Sequence, residues 1–235
     1  MNTKYLVIIG FLFLAILATS ATSAAPSSGN ITVAFIMVGF DDQDFQEEYD
    51  NDYFEETAFG STNSMWDYFD EVSKGSLNIE GEVFGPYTLD GDAADYSSGS
   101  SFVRESVEIA DDDIYYPNFD AVVAIHSGPG GESSGDSNDI WSAHWPSITI
   151  NTDDEDEDGD DHVIRRISQV PEYQLSNGER NPLGVWCHEF GHELGLPDYY
   201  DTDGSSEGVG NWAVMAAGSW GNNGETPVYF SAYSR

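Results

Sequence analysis

The chain has 235 residues and a large excess of acidic side chains, with 43 Asp and Glu against seven Lys and Arg and a formal net charge of −36 at pH 7. This charge argues against nucleic acids and anionic membranes as partners, and it indicates a salt-loving source, because molar salt shortens the Debye length to about 3 Å; an ordinary acidic secreted protein is the alternative. The single cysteine, Cys187, excludes an internal disulfide and is predicted to be a buried core residue.

The chain begins with a predicted secretory leader. Lys4 precedes an apolar run at residues 5–18, and small residues follow up to Ala24. A membrane span needs about 20 residues, so we expect cleavage near Ala24, with an uncleaved anchor as the weaker alternative. We therefore expect residues 25–235 to form one secreted, extracellular domain that does not bind membranes once the leader is removed.

Hydrophobic patterning after the leader predicts an α+β fold. Apolar runs predict interior strands, alternation predicts a half-exposed strand, and helical periodicity appears twice. Stretches rich in Gly, Ser and acidic residues are predicted surface loops. The predicted elements are strands at 31–38, 77–84 and 121–125, helices at 64–73 and 102–110, and loops at 90–101 and 127–139. Their order predicts a mixed twisted sheet with backing helices, followed by an active-site helix.

Two acidic segments are candidate calcium sites. The first is residues 153–161. An EF-hand loop that starts at Asp154 would need a glutamate at position 165, but Arg165 stands there, so a solvated, mobile loop is the preferred interpretation. Asp201 and Asp203 lie in a second short segment, for which a calcium site and a plain acidic turn are equally good interpretations.

The sequence from His188 to Asp198 has the spacing of a catalytic zinc site. His188 and His192 are one helical turn apart and can bind one metal ion from the same helix face. Glu189, rotated by about 100° from the first histidine, can reach a metal-bound water as general base. The alternative is a chance occurrence of this five-residue pattern on an ordinary amphipathic helix.

Residues on both sides of this pattern favour the metal site. Asn181 can cap the helix and Pro182 suits its first turn, while Gly195 can end it in a left-handed conformation. The chain can then double back and deliver Asp198 as a third ligand. Met215, set among small residues further along, is interpreted as a Met-turn beneath the ligands rather than as core filler.

With these residues the chain resembles the immune-inhibitor-A-like secreted metalloproteases, the M6 peptidases, from about Ile31 to its end. The similar segments are 31–41, 64–75, 139–145, 170–172, 188–200 and 208–220. The resemblance implies a metzincin-like zincin catalytic domain whose small C-terminal subdomain holds the Met-turn. It also implies that His188, His192 and Asp198 hold zinc and that Glu189 is catalytic.

The chain departs from the family pattern in several places. Ala217 stands two residues after Met215, where some metzincins have a tyrosine ligand, so Tyr199, Tyr200 or Tyr229 are the candidates to approach the site. The family commonly carries a propeptide, and we expect none here, because the predicted leader leaves no room for one before Ile31. The last residues show no obvious terminus, so we expect the catalytic domain to continue beyond residue 235.

These observations predict a zinc-dependent endopeptidase that acts on protein or peptide substrates through a metal-activated water. Two other functions stay open: a non-catalytic extracellular binding or surface protein stabilised by zinc and calcium, and a metal-dependent amidase. His126 and His144 are predicted to be structural, although either could line the cleft.

Overall fold

The structure is a computed structural model that describes residues 24–175, 179–206, 208–232 and 234. The predicted leader therefore lies outside the described residues except for Ala24. In chain order the strands are β1 (Gly29–Phe40), β2 (Leu77–Leu89), β3 (Ala121–Pro129), β4 (Ala143–Trp145), β5 (Ile150–Glu155), β6 (Asp161–Ile164), β7 (Ile167–Leu175) and β8 (Glu179–Arg180). The α-helices are α1 (Asn51–Phe59), α2 (Met65–Ser73), α3 (Ser101–Ala110), α4 (Gly131–Ser134) and α5 (Leu183–Glu193).

The core of the described chain is a mixed, mostly parallel sheet. Its strand order is β2-β1-β3-β7-β4, with β8 pairing to β7. Strands β2, β1, β3 and β7 are parallel, whereas β4 and β8 run antiparallel to β7. The predicted α+β class with a mixed sheet and helices is confirmed at this level. The metzincin-like details remain a prediction.

Both faces of the sheet are buried, which explains the continuous apolar sequence of β1. Val33, Phe35 and Met37 point to one hydrophobic cluster, which also contains residues of α1, α2 and α5. Ala34 and Ile36 point to the other cluster, on the face that α3 covers. The active-site helix therefore packs on the face of the sheet opposite to α3.

The predicted strands and helices before residue 126 are confirmed, with small changes in their ends. Ser64, the first residue of the predicted helix 64–73, is instead the N-cap of α2, where its side chain accepts a hydrogen bond from the Asp67 N–H. The loop predicted at residues 127–139 is partly wrong, because β3 continues to Pro129 and α4 follows it.

The acidic segment 153–161 is not an irregular loop throughout, because the ends of β5 and β6 lie in it and pair as an antiparallel hairpin. The Asp156 carboxylate accepts hydrogen bonds from the backbone N–H groups of Asp158 and Asp160, both at 3.0 Å, and so fixes the turn. Ile150 and Ile164 bury the far end of the hairpin against the second cluster. Buried apolar residues at its far end thus anchor a hairpin whose acidic tip, residues 157–161, is exposed to solvent as predicted.

No helix in the described parts of the chain is long and apolar enough to cross a bilayer.

Candidate active site

Helix α5 carries the candidate site, and its burial against the sheet fixes its position. The Asn181 side chain accepts a hydrogen bond from the Leu183 N–H at 2.8 Å, and the Pro182 carbonyl accepts one from the Trp186 N–H at 3.0 Å. The buried Trp186 ring stacks on Phe35 at 5.3 Å and on Phe54 at 5.7 Å, measured between ring centroids. Cap and core contacts together orient the opposite side of the helix toward the cleft.

Gly195 ends α5 and turns the chain back over the helix. Its φ of +87° is one that glycine adopts at little cost. The Leu196 N–H donates to the Gly191 carbonyl at 3.0 Å and the Gly195 N–H donates to the His192 carbonyl at 2.9 Å, which is a Schellman motif. This reversal is what brings residue 198 back to the two histidines.

The structure brings the three predicted ligands together. Asp198 Oδ1 lies 3.1 Å from His188 Nε2 and 3.1 Å from His192 Nε2. One ligand atom from each of the three residues lies within 4.8 Å of the other two. Among the described residues this is the one group of three such side chains that could share a metal ion.

Hydrogen bonds on the far side of each imidazole fix its tautomer. His188 Nδ1 donates to the Val214 carbonyl at 2.8 Å, and His192 Nδ1 donates to the Leu196 carbonyl at 2.7 Å. Because a carbonyl can only accept, the Nε2 atoms of the neutral rings carry lone pairs. In the neutral rings, two nitrogen lone pairs and a carboxylate oxygen then face one another, and a cation between them would satisfy all three. The arrangement fits zinc, which takes nitrogen and carboxylate ligands.

Glu189 is a buried carboxyl group beside this cluster. Burial raises its pKa to about 7, against the opposing influence of His188 and His192. Glu132 also contributes to the increase. A carboxyl group whose pKa lies near neutrality can both accept and donate a proton under working conditions.

Of the three candidate tyrosines, Tyr200 is the one that lies at the site. Its ring stacks on His188 with centroids 6.1 Å apart, and burial followed by a hydrogen bond to Asp198 raises its pKa to about 12. The Tyr199 hydroxyl instead contacts Ser234, and the Tyr229 hydroxyl contacts Glu71. Tyr200 is thus a neutral donor next to the Asp198 carboxylate.

Met215 is fully buried directly beneath α5. A Cβ at Gly191 would lie 2.4 Å from the Met215 sulfur, so any larger residue there would have to displace the methionine from its close approach to the helix between the two histidines. The Met215 carbonyl accepts a hydrogen bond from the Tyr199 N–H at 2.7 Å, which joins this segment to the chain around Asp198. This placement is compatible with the predicted Met-turn, which stays a prediction.

The three candidate ligands open into a cavity of about 580 Å³. Residues on β4 form one wall, and residues after Gly195 form the other. Its lining residues are Ser142, Ala143, His144, Pro146, His188, Glu189, His192, Gly195, Leu196, Pro197, Asp198 and Tyr200. The cavity is large enough for a stretch of peptide to reach the ligand cluster.

His144 lies in this wall, behind His192. Its Nδ1 is 3.0 Å from Ser168 Oγ and 3.5 Å from the buried Glu193 carboxylate, which forms an ion pair with Arg166 at 3.0 Å. Burial, together with the charges of His192 and Arg166, lowers the pKa of His144 to about 3. The ring is therefore neutral at ordinary pH and packs beside the ligand without adding charge.

The other predicted residues lie away from the cluster. Asp201 and Asp203 lie in an exposed turn, where the Asp201 carboxylate accepts hydrogen bonds from backbone N–H groups, including that of Ser206 at 2.8 Å. His126 is buried at the end of β3 and lines neither cavity at the site. Cys187 is buried and unpaired, and its prediction as a core residue is confirmed.

Sequence reasoning missed Glu132 and Ser142, which line the cleft close to the candidate catalytic residue. Glu132 lies on α4, just past the carboxyl end of the parallel strand β3. In sheets with parallel strands, ligand sites gather beyond these carboxyl ends. The glycine-rich sequence after residue 126 was therefore an available signal, but it was interpreted as a surface loop.

Comparison with known proteins is consistent with this geometry. The family described as immune inhibitor A peptidase M6, catalytic domain, matches residues 110–235. Immune inhibitor A of Bacillus thuringiensis subsp. alesti is 46% identical over 61 residues, which are 24% of this chain and 9% of that protein. The pre-pro-metalloprotease PrtV of Vibrio cholerae serotype O1 is 46% identical over 56 residues, which are 22% of this chain and 6% of that protein.

Proposed function

Because the chain belongs to the immune inhibitor A family of M6 peptidases, we propose that it is a secreted, zinc-dependent endopeptidase that hydrolyses peptide bonds in protein and peptide substrates. The observation that carries this proposal is the meeting of His188 Nε2, His192 Nε2 and Asp198 Oδ1 beside the buried carboxyl group of Glu189. A site with only a structural metal has no need of such a base.

Zinc bound by His188, His192 and Asp198 would lower the pKa of a water molecule and polarise the carbonyl of the scissile bond. Glu189 accepts a proton from the attacking water as the water oxygen bonds to the carbonyl carbon. Glu189 then passes that proton to the nitrogen, which leaves as an amine when the C–N bond breaks. The burial of Glu189 in the cavity wall beside the candidate ligands supports this role.

The edge strand β4 supplies a means of holding the substrate. It pairs with β7 on one side, and no described strand pairs with its other side. Ala143 and His144 of this strand, and Ser142 just before it, lie in the wall of the larger cavity. An extended peptide can add to this edge through main-chain hydrogen bonds, which would place one of its carbonyl groups near the ligand cluster.

Metal removal and replacement test the proposal. The protein is treated with a chelator, dialysed, and assayed on quenched peptides in molar salt before and after zinc is added. We expect activity to disappear and to return at one zinc per chain. A folded, zinc-loaded protein without turnover on a broad peptide library would instead indicate a binding protein, and turnover of cell-wall amides alone would indicate an amidase.

A further inference from the structure

A second cavity, of about 300 Å³, adjoins the ligand cluster on the side away from His192. Ser142, His188, Glu189 and Tyr200 line both cavities, so the candidate catalytic residues lie between the two. The remaining lining residues of the second cavity are Glu132, Trp141, Val185, Ala216, Ala217, Ser219 and Trp220. Its volume suits one large side chain of a bound peptide.

The direction of β4 indicates which substrate residue this cavity receives. Trp141 precedes β4 and lines the second cavity, whereas His144 and Pro146 lie further along the chain and line the larger one. A peptide added antiparallel to β4 therefore runs from the larger cavity to the second one. Antiparallel pairing is the slightly more stable of the two directions. The second cavity then faces the residue immediately after the cleaved bond.

The Glu132 carboxylate is fixed in the wall of this second cavity. It accepts hydrogen bonds from the Ser142 N–H at 3.0 Å and from the Ser142 hydroxyl at 2.7 Å, and Gln174 Nε2 donates to it as well. All three donors are neutral, so they orient the carboxylate without cancelling its charge. None of the residues that line either cavity is Lys or Arg.

The other walls suit a long side chain with a cationic end. Trp141, which is 57% exposed, and Trp220 supply aromatic surface, while Ala216 and Ala217 leave room beside them. Aromatic faces attract ammonium and guanidinium groups, and they also pack against the methylene groups of Lys and Arg. An acidic substrate side chain in this cavity would be repelled by the Glu132 carboxylate, since no Lys or Arg lines the cavity to offset that charge.

We propose that this cavity selects substrates with Lys or Arg immediately after the cleaved bond, and that Glu132 is the specificity-determining residue. The inference rests on the proposed peptidase function and deepens it by naming the substrate class. Glu132 acts on the substrate side chain, and any influence of its charge on the neighbouring Glu189 is the same for every substrate, so a ratio between matched peptides isolates its role in selection.

Paired peptides that differ only at this position provide the test. One pair has lysine or norleucine, which lacks the ammonium group, and a second pair has arginine or citrulline. With the zinc-loaded wild-type protein we expect kcat/KM to be about tenfold higher for each charged member. In Glu132→Gln we expect this ratio to fall close to one, whereas a merely structural role would lower kcat/KM for both members equally.

Glu108→Gln is the matched control, because it removes one exposed charge from α3 on the opposite face of the sheet. In this variant, the ratio of kcat/KM between the charged and uncharged member of each peptide pair should stay at the wild-type value. Equal cleavage of both members by the wild type, or a ratio that Glu132→Gln leaves unchanged, would overturn the inference while the peptidase function stands. A wild-type protein that cleaves none of the peptides would overturn the proposed function, and the inference with it.

Discussion

Each candidate ligand histidine uses one ring nitrogen to bind the protein and leaves the other for the site. The spacing of His188 and His192 predicts that they share a helix face, because residues four apart lie one helical turn from each other. The carbonyl groups that orient them could not be predicted, because Val214 lies in a distant segment and Leu196 depends on the geometry of the turn after α5. Local periodicity thus finds the ligands but not the residues that hold them.

Asp198 is predicted to be essential for metal affinity. Replacing it by asparagine keeps the size of the side chain but removes the negative charge that faces both Nε2 atoms. We expect Asp198→Asn to weaken zinc binding by at least about tenfold, as measured by competition with a chromogenic chelator. Asp203→Asn, which removes a charge from the neighbouring exposed turn, should bind zinc like the wild type; equal losses in both variants would count against a ligand role for Asp198.

His126 is predicted to make the protein sensitive to mild acid. Burial lowers its pKa below the ordinary 6.5, and the Ser127 carbonyl at 2.9 Å, Glu132 and Asp139 oppose this only in part. The His126 ring therefore binds a proton more readily in the unfolded chain than in the folded protein. The stabilising contribution of the neutral ring is complete above pH 6.5 and is lost as the pH falls toward the folded-state pKa, by up to about 1.4 kcal/mol per pH unit.

Denaturant unfolding at pH 6.5 and pH 5.5 measures this effect. The free energy of unfolding should fall more steeply with pH in the wild type than in His126→Asn, which keeps a donor for the Ser127 carbonyl but does not titrate. Other acid-sensitive groups are common to both proteins and cancel in the comparison. Identical slopes in the two proteins would show that His126 does not titrate in this range.

At the level of elements, the sequence predicts a strand or helix best where its local signals all indicate the same structure. The run of apolar residues in β1 reflects burial on both faces of the sheet, and α5 has cap, apolar and glycine signals that agree. The sequence does not predict strands β4 and β7, because β4 has only three residues and β7 mixes polar and apolar residues without a regular period, although nearly all of it is buried. The polar residues buried in these two strands make contacts with distant parts of the chain, and a local sequence pattern cannot reveal such contacts.

The turn after α5 is predicted to couple stability to metal affinity. Alanine at Gly195 would be held at a φ of +87°, in the left-handed region that residues with a Cβ rarely adopt. We expect Gly195→Ala to lower the free energy of unfolding by about 1–2 kcal/mol and to weaken zinc binding, because the Leu196 carbonyl that orients His192 would shift.

Gly204→Ala is the control for that prediction. Gly204 has a similar φ of +73°, but it lies in an exposed turn with open space around it. It should lower stability to a similar extent, as measured by denaturant unfolding, without changing zinc affinity. Loss of affinity in both variants, or in neither, would disprove a specific link between the turn and the ligands.

At the level of the whole molecule, the charge of −36 dominates. Removal of the predicted leader would take away Lys4 and no acidic residue. Mutual repulsion of these charges opposes the compact state, and salt screens it. We therefore expect the thermal unfolding midpoint of the zinc-loaded protein to rise steadily from 0.1 M to 2 M KCl. A midpoint that is highest at low salt would contradict the interpretation of this sequence as salt-adapted.

The same experiment separates calcium binding from general screening. Asp201 and Asp203 remain calcium-ligand candidates from the sequence, and the structure places both in one exposed turn. The part of the chain that the structure describes shows no third acidic or histidine ligand grouped with them. A millimolar calcium effect that persists in 2 M KCl and disappears in Asp201→Asn would support such a site. A calcium effect that molar salt abolishes would show screening alone.

The most direct test of the central claim is the turnover of quenched peptides by wild-type protein and Glu189→Gln, each carrying one zinc per chain in molar salt. The account predicts that the variant binds zinc as tightly as the wild type and loses at least about a thousandfold in kcat, since the group that moves the proton is gone. A zinc-loaded Glu189→Gln protein with turnover close to the wild-type value would contradict the account.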